Sequence, residues 1–270
     1  MDTINKHYRE FDESQRLNDA RGQLERIRSE EIITRYLPDS PAVIADVGGG
    51  TGVYARWLAE KGYEVYLIDL VAHHVAQARD TDERKEQNHI ARYIIADARE
   101  LPLDDASVDV VLMLGPLYHL PNYDDRLTAL RHALRVLKPD GIVIAAAISR
   151  LASLIDGKII SEIDDPVFDE IVDQDLDTGH HTNPTDNPNY FTEAHFHDPA
   201  TLQNELEAAG FRHDLTAAVE GPAFLLQDLD ERLNDPSRRA MLLECIRRIE
   251  SDPSAMAVTA HLLTVGTKTS

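Results

Sequence analysis

The sequence predicts an α/β fold in which seven strands form a mostly parallel sheet with helices on both faces. Three observations predict it. Short apolar runs, too brief for helices, alternate with segments of helical periodicity, the rhythm of strands joined by helical crossovers. A glycine-rich stretch, Asp46-Val47-Gly48-Gly49-Gly50-Thr51-Gly52, falls between the first such run and the helix after it. An acid, Asp69, closes the second run.

Each element has its own local reason. Residues 1–38 read as helical: Leu17, Ala20, Leu24 and Ile27 are spaced by 3, 4 and 3, and Ile33, Tyr36 and Leu37 continue the apolar face. Pro38 and the turn Asp39-Ser40-Pro41 end that segment. Residues 42–47 are an apolar run bounded by glycines and read as a buried strand. A helix over 53–61 stops at Gly62, and a second strand follows over 64–69. Residues 71–79 read as helix and 92–96 as the third strand, ending at Asp97. A fourth strand covers 108–114 and a helix 124–137. The turn Lys138-Pro139-Asp140-Gly141 then leads into a fifth strand over 142–148.

Residues 150–198 break this rhythm, with many acids, four histidines and the loop-like Asn183-Pro184-Thr185-Asp186-Asn187-Pro188-Asn189. A stretch of that length without periodicity is expected to be a functional lid. The pattern resumes with a helix over 199–209 ended by Gly210, a strand over 211–219, a helix over 236–250 and a last strand over 260–267. The expected organisation is therefore a helical cap (1–38), a ligand-binding core (39–149), a lid or substrate insertion (150–198) and the remainder of the core sheet (199–270).

Glycines between strand and helix let the chain turn tightly and let a ligand reach the backbone, while the helix start offers free N–H groups. An acid ending the next strand accepts hydrogen bonds from ribose hydroxyls in such folds, which is the expectation for Asp69. The dinucleotide pattern G-x-G-x-x-G/A fits only as Gly50-x-Gly52-x-x-Ala55, late in the turn. Gly48-x-Gly50-x-Gly52, with Asp46 two residues ahead, instead resembles motif I of class I S-adenosylmethionine-dependent methyltransferases. The resemblance continues in order through Asp97-Ala98, Leu101-Pro102, the 104–108 segment and Leu137-Lys138-Pro139-Asp140-Gly141, which is similar to the family's LKPGG turn. It implies a Rossmann-like fold and S-adenosyl-L-methionine as cofactor. It further implies Asp46, Gly48, Gly49, Gly50 and Gly52 around the methionine end, Asp69 and Leu70 at the ribose, Asp97 and the Ala98 amide at the adenine, and Leu114 bordering the site.

Open α/β sheets bind ligands at the carboxyl ends of strands, so the loop after strand four, Leu114-Gly115-Pro116-Leu117-Tyr118-His119-Leu120, is expected to border the transferred methyl. The string LGPLYHL resembles a subgroup of small-molecule methyltransferases. Tyr118 and His119 are the candidate catalytic and acceptor-binding residues, His119 as a titratable base. His181, Tyr190 and His195 in the lid are expected to line the acceptor pocket, and Tyr8 and Arg28 to meet the cofactor's carboxylate. No metal is expected, because displacement at a sulfonium methyl needs none.

The competing readings are an NAD-dependent oxidoreductase and a non-catalytic cofactor-binding protein. No tyrosine has lysine four residues later, so one common dehydrogenase arrangement is absent. Charge narrows the partners: 27 basic against 48 acidic residues give a net charge of −21, which disfavours nucleic acid. The basic side is itself lysine-poor, with six lysines among the 27. No apolar run reaches the roughly 18 residues of a membrane span, and the N-terminus lacks an apolar signal core. Cys245 stands alone, which excludes an intrachain disulfide. The expectation is a cytoplasmic enzyme acting on a small-molecule acceptor.

Overall fold

A computed structural model describes residues 19–84, 90–185 and 187–269. Within these the chain forms a seven-stranded sheet: β1 (Val43–Val47), β2 (Glu64–Asp69), β3 (Arg92–Ile95), β4 (Val108–Met113), β5 (Leu137–Ile148), β8 (Phe211–Ala218) and β9 (His261–Lys268), in the order β3-β2-β1-β4-β5-β9-β8. The pairs β1–β2, β1–β4, β2–β3 and β4–β5 are all parallel. The central strands are covered on both faces, which is why they read as unbroken apolar runs and not as alternations. Ile44, Ala45, Val110, Val111 and Leu112 have no exposed surface.

The helices that matter for the site are α2 (Val53–Glu60), α3 (Ala72–Arg84), α4 (Tyr123–Val136) and α6 (Pro199–Ala208); α1 is Ala20–Tyr36. Asn122 caps α4 by accepting from the Asp124 and Asp125 amides at 2.8 and 3.3 Å. Among the described residues no helix is long and apolar enough to cross a membrane.

The chain divides into two compact units. One takes the chain up to Arg35, then Ala147–Leu202 and Leu215–Leu263; the other takes Tyr36–Ala146, Gln203–Asp214 and the end from Thr264. The expected core segment, 39–149, nearly coincides with the long central stretch of the second unit, whereas 199–270 is shared between both units.

Two local expectations change. Residues 150–198 are not an irregular loop: they hold a π-helix (Ser153–Ile160), a helix α5 (Pro166–Thr178) and a two-stranded ribbon of β6 (His180–His181) and β7 (Ala194–His195). Asp165 caps α5 at the Val167 amide, 2.9 Å away, Pro166 starts it, and Gly179 closes it at φ +71°. Those stop and start signals are in the sequence, but only Phe168, Ile171, Val172 and the buried Asp175 mark an inward face. Second, Lys138 to Gly141 belong to β5. The pairing with β4 shifts register between Val108 and Val110, and Asp140 adopts φ +61°, so the expected turn is an irregular strand entry.

Candidate functional site

From the middle of this parallel sheet, β1, β2 and β3 succeed one another toward one edge, and β4 and β5 toward the other. The order reverses between β1 and β4, and the crevice beyond the carboxyl ends of those two neighbours is where such sheets take ligands. The glycine turn leaves β1 there and the 114–120 loop leaves β4 there.

The turn is stitched to the end of β2. Gly48 and Gly49 donate to the Ile68 carbonyl at 2.7 and 3.3 Å, and the Gly50 amide donates to Asp69 Oδ2 at 2.8 Å. Asp69 Oδ1 accepts from the Val71 amide at 2.8 Å, so this carboxylate is fixed from both sides. Gly48 sits at φ +72°, where a Cβ would lie 2.6 Å from Pro116 Cδ; the two loops of the switch point are in contact at this residue. A Cβ on Gly49 would lie 2.3 Å from Leu67 Cδ1 and 2.6 Å from Asp46 Oδ2. Glycine is required at both places, at Gly48 by backbone conformation and at Gly49 by close approach.

Asp46 is the electrostatic centre of the turn. It is 1% exposed, and its Oδ2 has no hydrogen-bond partner among the described residues. Burial, and then the charge of Asp69, push its carboxyl up to about 7, partly offset by a hydrogen bond from the Ala55 backbone. Asp97 and Ala98, after β3, are half-buried. Arg99 donates to both Asp97 oxygens and holds that carboxyl below the usual range.

Tyr118 and His119 lie together on the turn after β4, their rings 4.6 Å apart, with the His119 amide donating to the Pro116 carbonyl at 3.1 Å. Two buried residues that the sequence did not single out hold the far end of this loop. Arg126 Nη1 donates to the carbonyls of Leu120 and Pro121 at 2.9 and 2.8 Å, and its Nε and Nη2 form a forked pair with Glu205 of α6. The signal available was an arginine at an inward position of a helix that otherwise buries Leu127, Ala129, Leu130 and Ala133. Arg56 plays a similar part for the turn, donating to the Thr51 carbonyl at 2.7 Å and pairing with buried Asp82.

A methyltransferase-domain family model matches residues 45–145. A ubiquinone/menaquinone biosynthesis C-methyltransferase of Idiomarina loihiensis is 31% identical over 195 residues, covering 66% of this chain and 71% of that protein. The chain belongs to the class I S-adenosylmethionine-dependent methyltransferases. A malonyl-[acyl-carrier protein] O-methyltransferase of Pectobacterium atrosepticum is 29% identical over 134 residues, 48% of each chain. A solved S-adenosylmethionine-dependent methyltransferase of Methanosarcina mazei superposes with a TM-score of 0.58 at 17% identity, covering 88% of this chain and 97% of that one, a likeness of fold.

The methyltransferase's expected cofactor residues Asp46, Gly48, Gly49, Gly50, Gly52, Asp69, Leu70, Asp97, Ala98 and Leu114 all belong to one compact unit, as do Tyr118 and His119. His181, Tyr190, His195 and Arg28 belong to the other, and Tyr8 lies outside the described residues. Arg28 is a correction. It is fully buried, and its guanidinium donates to Glu31, Glu250 and the Val219 carbonyl; a buried cation needs such partners, and these hold α1 in place. His181 is a second correction. It is 1% exposed, Nδ1 faces Asp175 at 2.9 Å, Nε2 faces the Tyr190 carbonyl at 2.7 Å, and the ring stacks on Phe196. Tyr190 gives its hydroxyl to Asp165 at 2.6 Å and packs on Phe168, and His195 stands edge-on to His197 at 4.4 Å. His181 and Tyr190 thus stabilise the 150–198 segment from inside.

Proposed function

We propose that this methyltransferase holds S-adenosyl-L-methionine with the Asp46–Gly52 turn, Asp69, Leu70, Asp97, Ala98 and Leu114, and that Tyr118 and His119 align and deprotonate a small organic acceptor. The observation that carries this reading is the contact of Gly48 with Pro116 at the switch point, which puts the glycine turn and the Tyr118-His119 loop side by side. The residues present fit the cofactor. Gly49 leaves a space that a Cβ would fill, and the unpartnered Oδ2 of buried Asp46 calls for a cationic or N–H donor such as the ammonium of the methionine end.

When bound, the cofactor supplies a methyl group on a sulfonium, an already activated leaving group. The chain's residues then have to bind, orient and handle protons. Asp69 is fixed by the Gly50 and Val71 amides, and in this reading it accepts from the ribose hydroxyls. The Arg126–Glu205 pair holds the carbonyls that follow His119, so that the loop keeps one geometry toward the acceptor. Carbon and oxygen acceptors, the classes in the relatives' names, must lose a proton to become nucleophiles, and His119 is the base in reach of the loop. Net charge of −21 favours a small-molecule acceptor over nucleic acid.

Two measurements follow. Single-turnover methyl transfer by His119→Ala is expected to fall by about 10²–10⁴-fold, with unchanged S-adenosylhomocysteine affinity; a normal rate across pH rules out the base. Asp69→Ala is expected to weaken S-adenosylhomocysteine binding by about 10–100-fold, the value of a charged hydrogen bond of about 1.5–3 kcal/mol. An unchanged calorimetric affinity removes Asp69 from the site.

A further inference from the structure

The contact set of Asp97 carries an inference about selectivity, and it rests on the reading that Asp97 faces the adenine amino group. Asp97 is not a free acid at the end of β3. Its Oδ1 accepts from the Arg99 amide at 2.8 Å and from Arg99 Nε at 3.0 Å, and its Oδ2 accepts from Arg99 Nη2 at 2.6 Å. The fork is anchored from its other side: Arg99 Nη1 donates to Asp125 Oδ2 on α4 at 2.8 Å. A planar guanidinium held at three nitrogens leaves the carboxylate plane no freedom to rotate.

A carboxylate offers about four lone-pair sites. Among the described residues two donors fill those of Oδ1 and one occupies Oδ2, which leaves a single acceptor direction, on Oδ2. The Asp97 side chain keeps about a fifth of its surface exposed, so the carboxylate is not sealed off from a ligand. A 6-amino purine presents an N–H donor to such an acceptor, and a 6-oxo purine presents a carbonyl that the carboxylate repels.

We propose that Arg99 is a positioning residue that makes Asp97 a fixed N–H acceptor and thereby selects a 6-amino over a 6-oxo purine in the cofactor. Arg99 does this without touching the reacting atoms. Its substitution therefore changes cofactor affinity and base selectivity, and leaves methyl transfer at saturation intact. Neighbouring charge agrees with this arrangement, because the same arginine keeps the Asp97 carboxyl ionised.

The test compares calorimetric affinities for S-adenosylhomocysteine and S-inosylhomocysteine in the full chain. Wild type is expected to prefer the adenosyl compound by about tenfold or more, the value of one charged hydrogen bond. In Arg99→Gln that preference is expected to fall at least fivefold, with KM for S-adenosylmethionine raised and kcat within twofold of wild type. Asp97→Asn separates the two layers of the argument. If Asp97→Asn loses the preference while Arg99→Gln keeps it, the proposal is overturned and the reading of Asp97 stands. If Asp97→Asn keeps the preference, the reading itself fails. Should Arg99→Gln not fold, Arg99→Lys carries the same test, because it retains the charge and loses the fork. A reduced preference in Arg99→Lys supports the positioning role, and a wild-type preference overturns it.

Discussion

Gly49→Ala is expected to abolish S-adenosylhomocysteine binding and to destabilise the fold by about 1–3 kcal/mol, the usual cost of overpacking a buried site. A methyl group at this position meets Leu67 Cδ1 at 2.3 Å and Asp46 Oδ2 at 2.6 Å. Neither neighbour has room to yield. Leu67 has no exposed surface and lies in β2, paired to β1 at Asp46 and to β3 at Tyr93; Asp46 is itself 1% exposed. The backbone of the turn must move instead, and with it the amides of Gly48, Gly49 and Gly50 that are bonded to the end of β2. Calorimetry and the midpoint of denaturant unfolding read the two effects separately. Gly115→Ala is the control: its Cβ meets the Gly48 carbonyl at 3.4 Å and the Tyr118 hydroxyl at 3.6 Å, which are ordinary contacts, so its stability is expected to stay within about 0.5 kcal/mol of wild type.

The second large effect is a pH dependence centred on Asp46. Its folded value of about 7 lies above the ordinary 3.8, so between these limits the folded chain holds a proton that the unfolded chain has released. The contribution to stability is whole below pH 3.8 and is lost as pH rises through 7, on the order of 4 kcal/mol at about 1.36 kcal/mol per unit. Asp46→Asn is expected to remove this slope and to be the more stable protein above pH 7. Ligand binding runs the opposite way. A cationic group of the ligand beside Oδ2 favours the ionised carboxylate, so affinity for S-adenosylhomocysteine is expected to rise from pH 6 to 8, by up to about tenfold per unit below the folded value. Proton release on binding, measured in buffers of different ionisation enthalpy, identifies the group. In Asp46→Asn both the rise and the release disappear. The charge that acts on Asp46 besides its burial is that of Asp69. A rise that persists in Asp46→Asn overturns the assignment to Asp46.

How much of this was legible from the amino acids differs by element. The sheet was legible because its central strands, buried on both faces, read as short apolar runs, and because glycines and prolines punctuate the crossovers. The glycine turn was legible because Gly48, Gly49 and Asp46 answer local constraints: a left-handed backbone, a missing Cβ and a strand end. Residues 150–198 were not legible as ordered structure. Their helix α5 shows only three apolar inward positions, and its interior is completed by polar pairs, Asp175 with Ser153 and His181. A composition rich in acids and histidines conceals a core of that kind. Arg28, Arg126 and Arg99 were misread or missed for one reason. An arginine's role depends on which carboxylate the fold brings to it, and Glu250, Glu205 and Asp125 lie 222, 79 and 26 residues away.

The most direct test of the account is a calorimetric titration of the full chain with S-adenosylhomocysteine and, separately, with NAD at pH 8. One equivalent of S-adenosylhomocysteine bound per chain, lost in Gly49→Ala and weakened in Asp69→Ala, with no heat from NAD, is the predicted result. Binding of NAD with none of S-adenosylhomocysteine would contradict it.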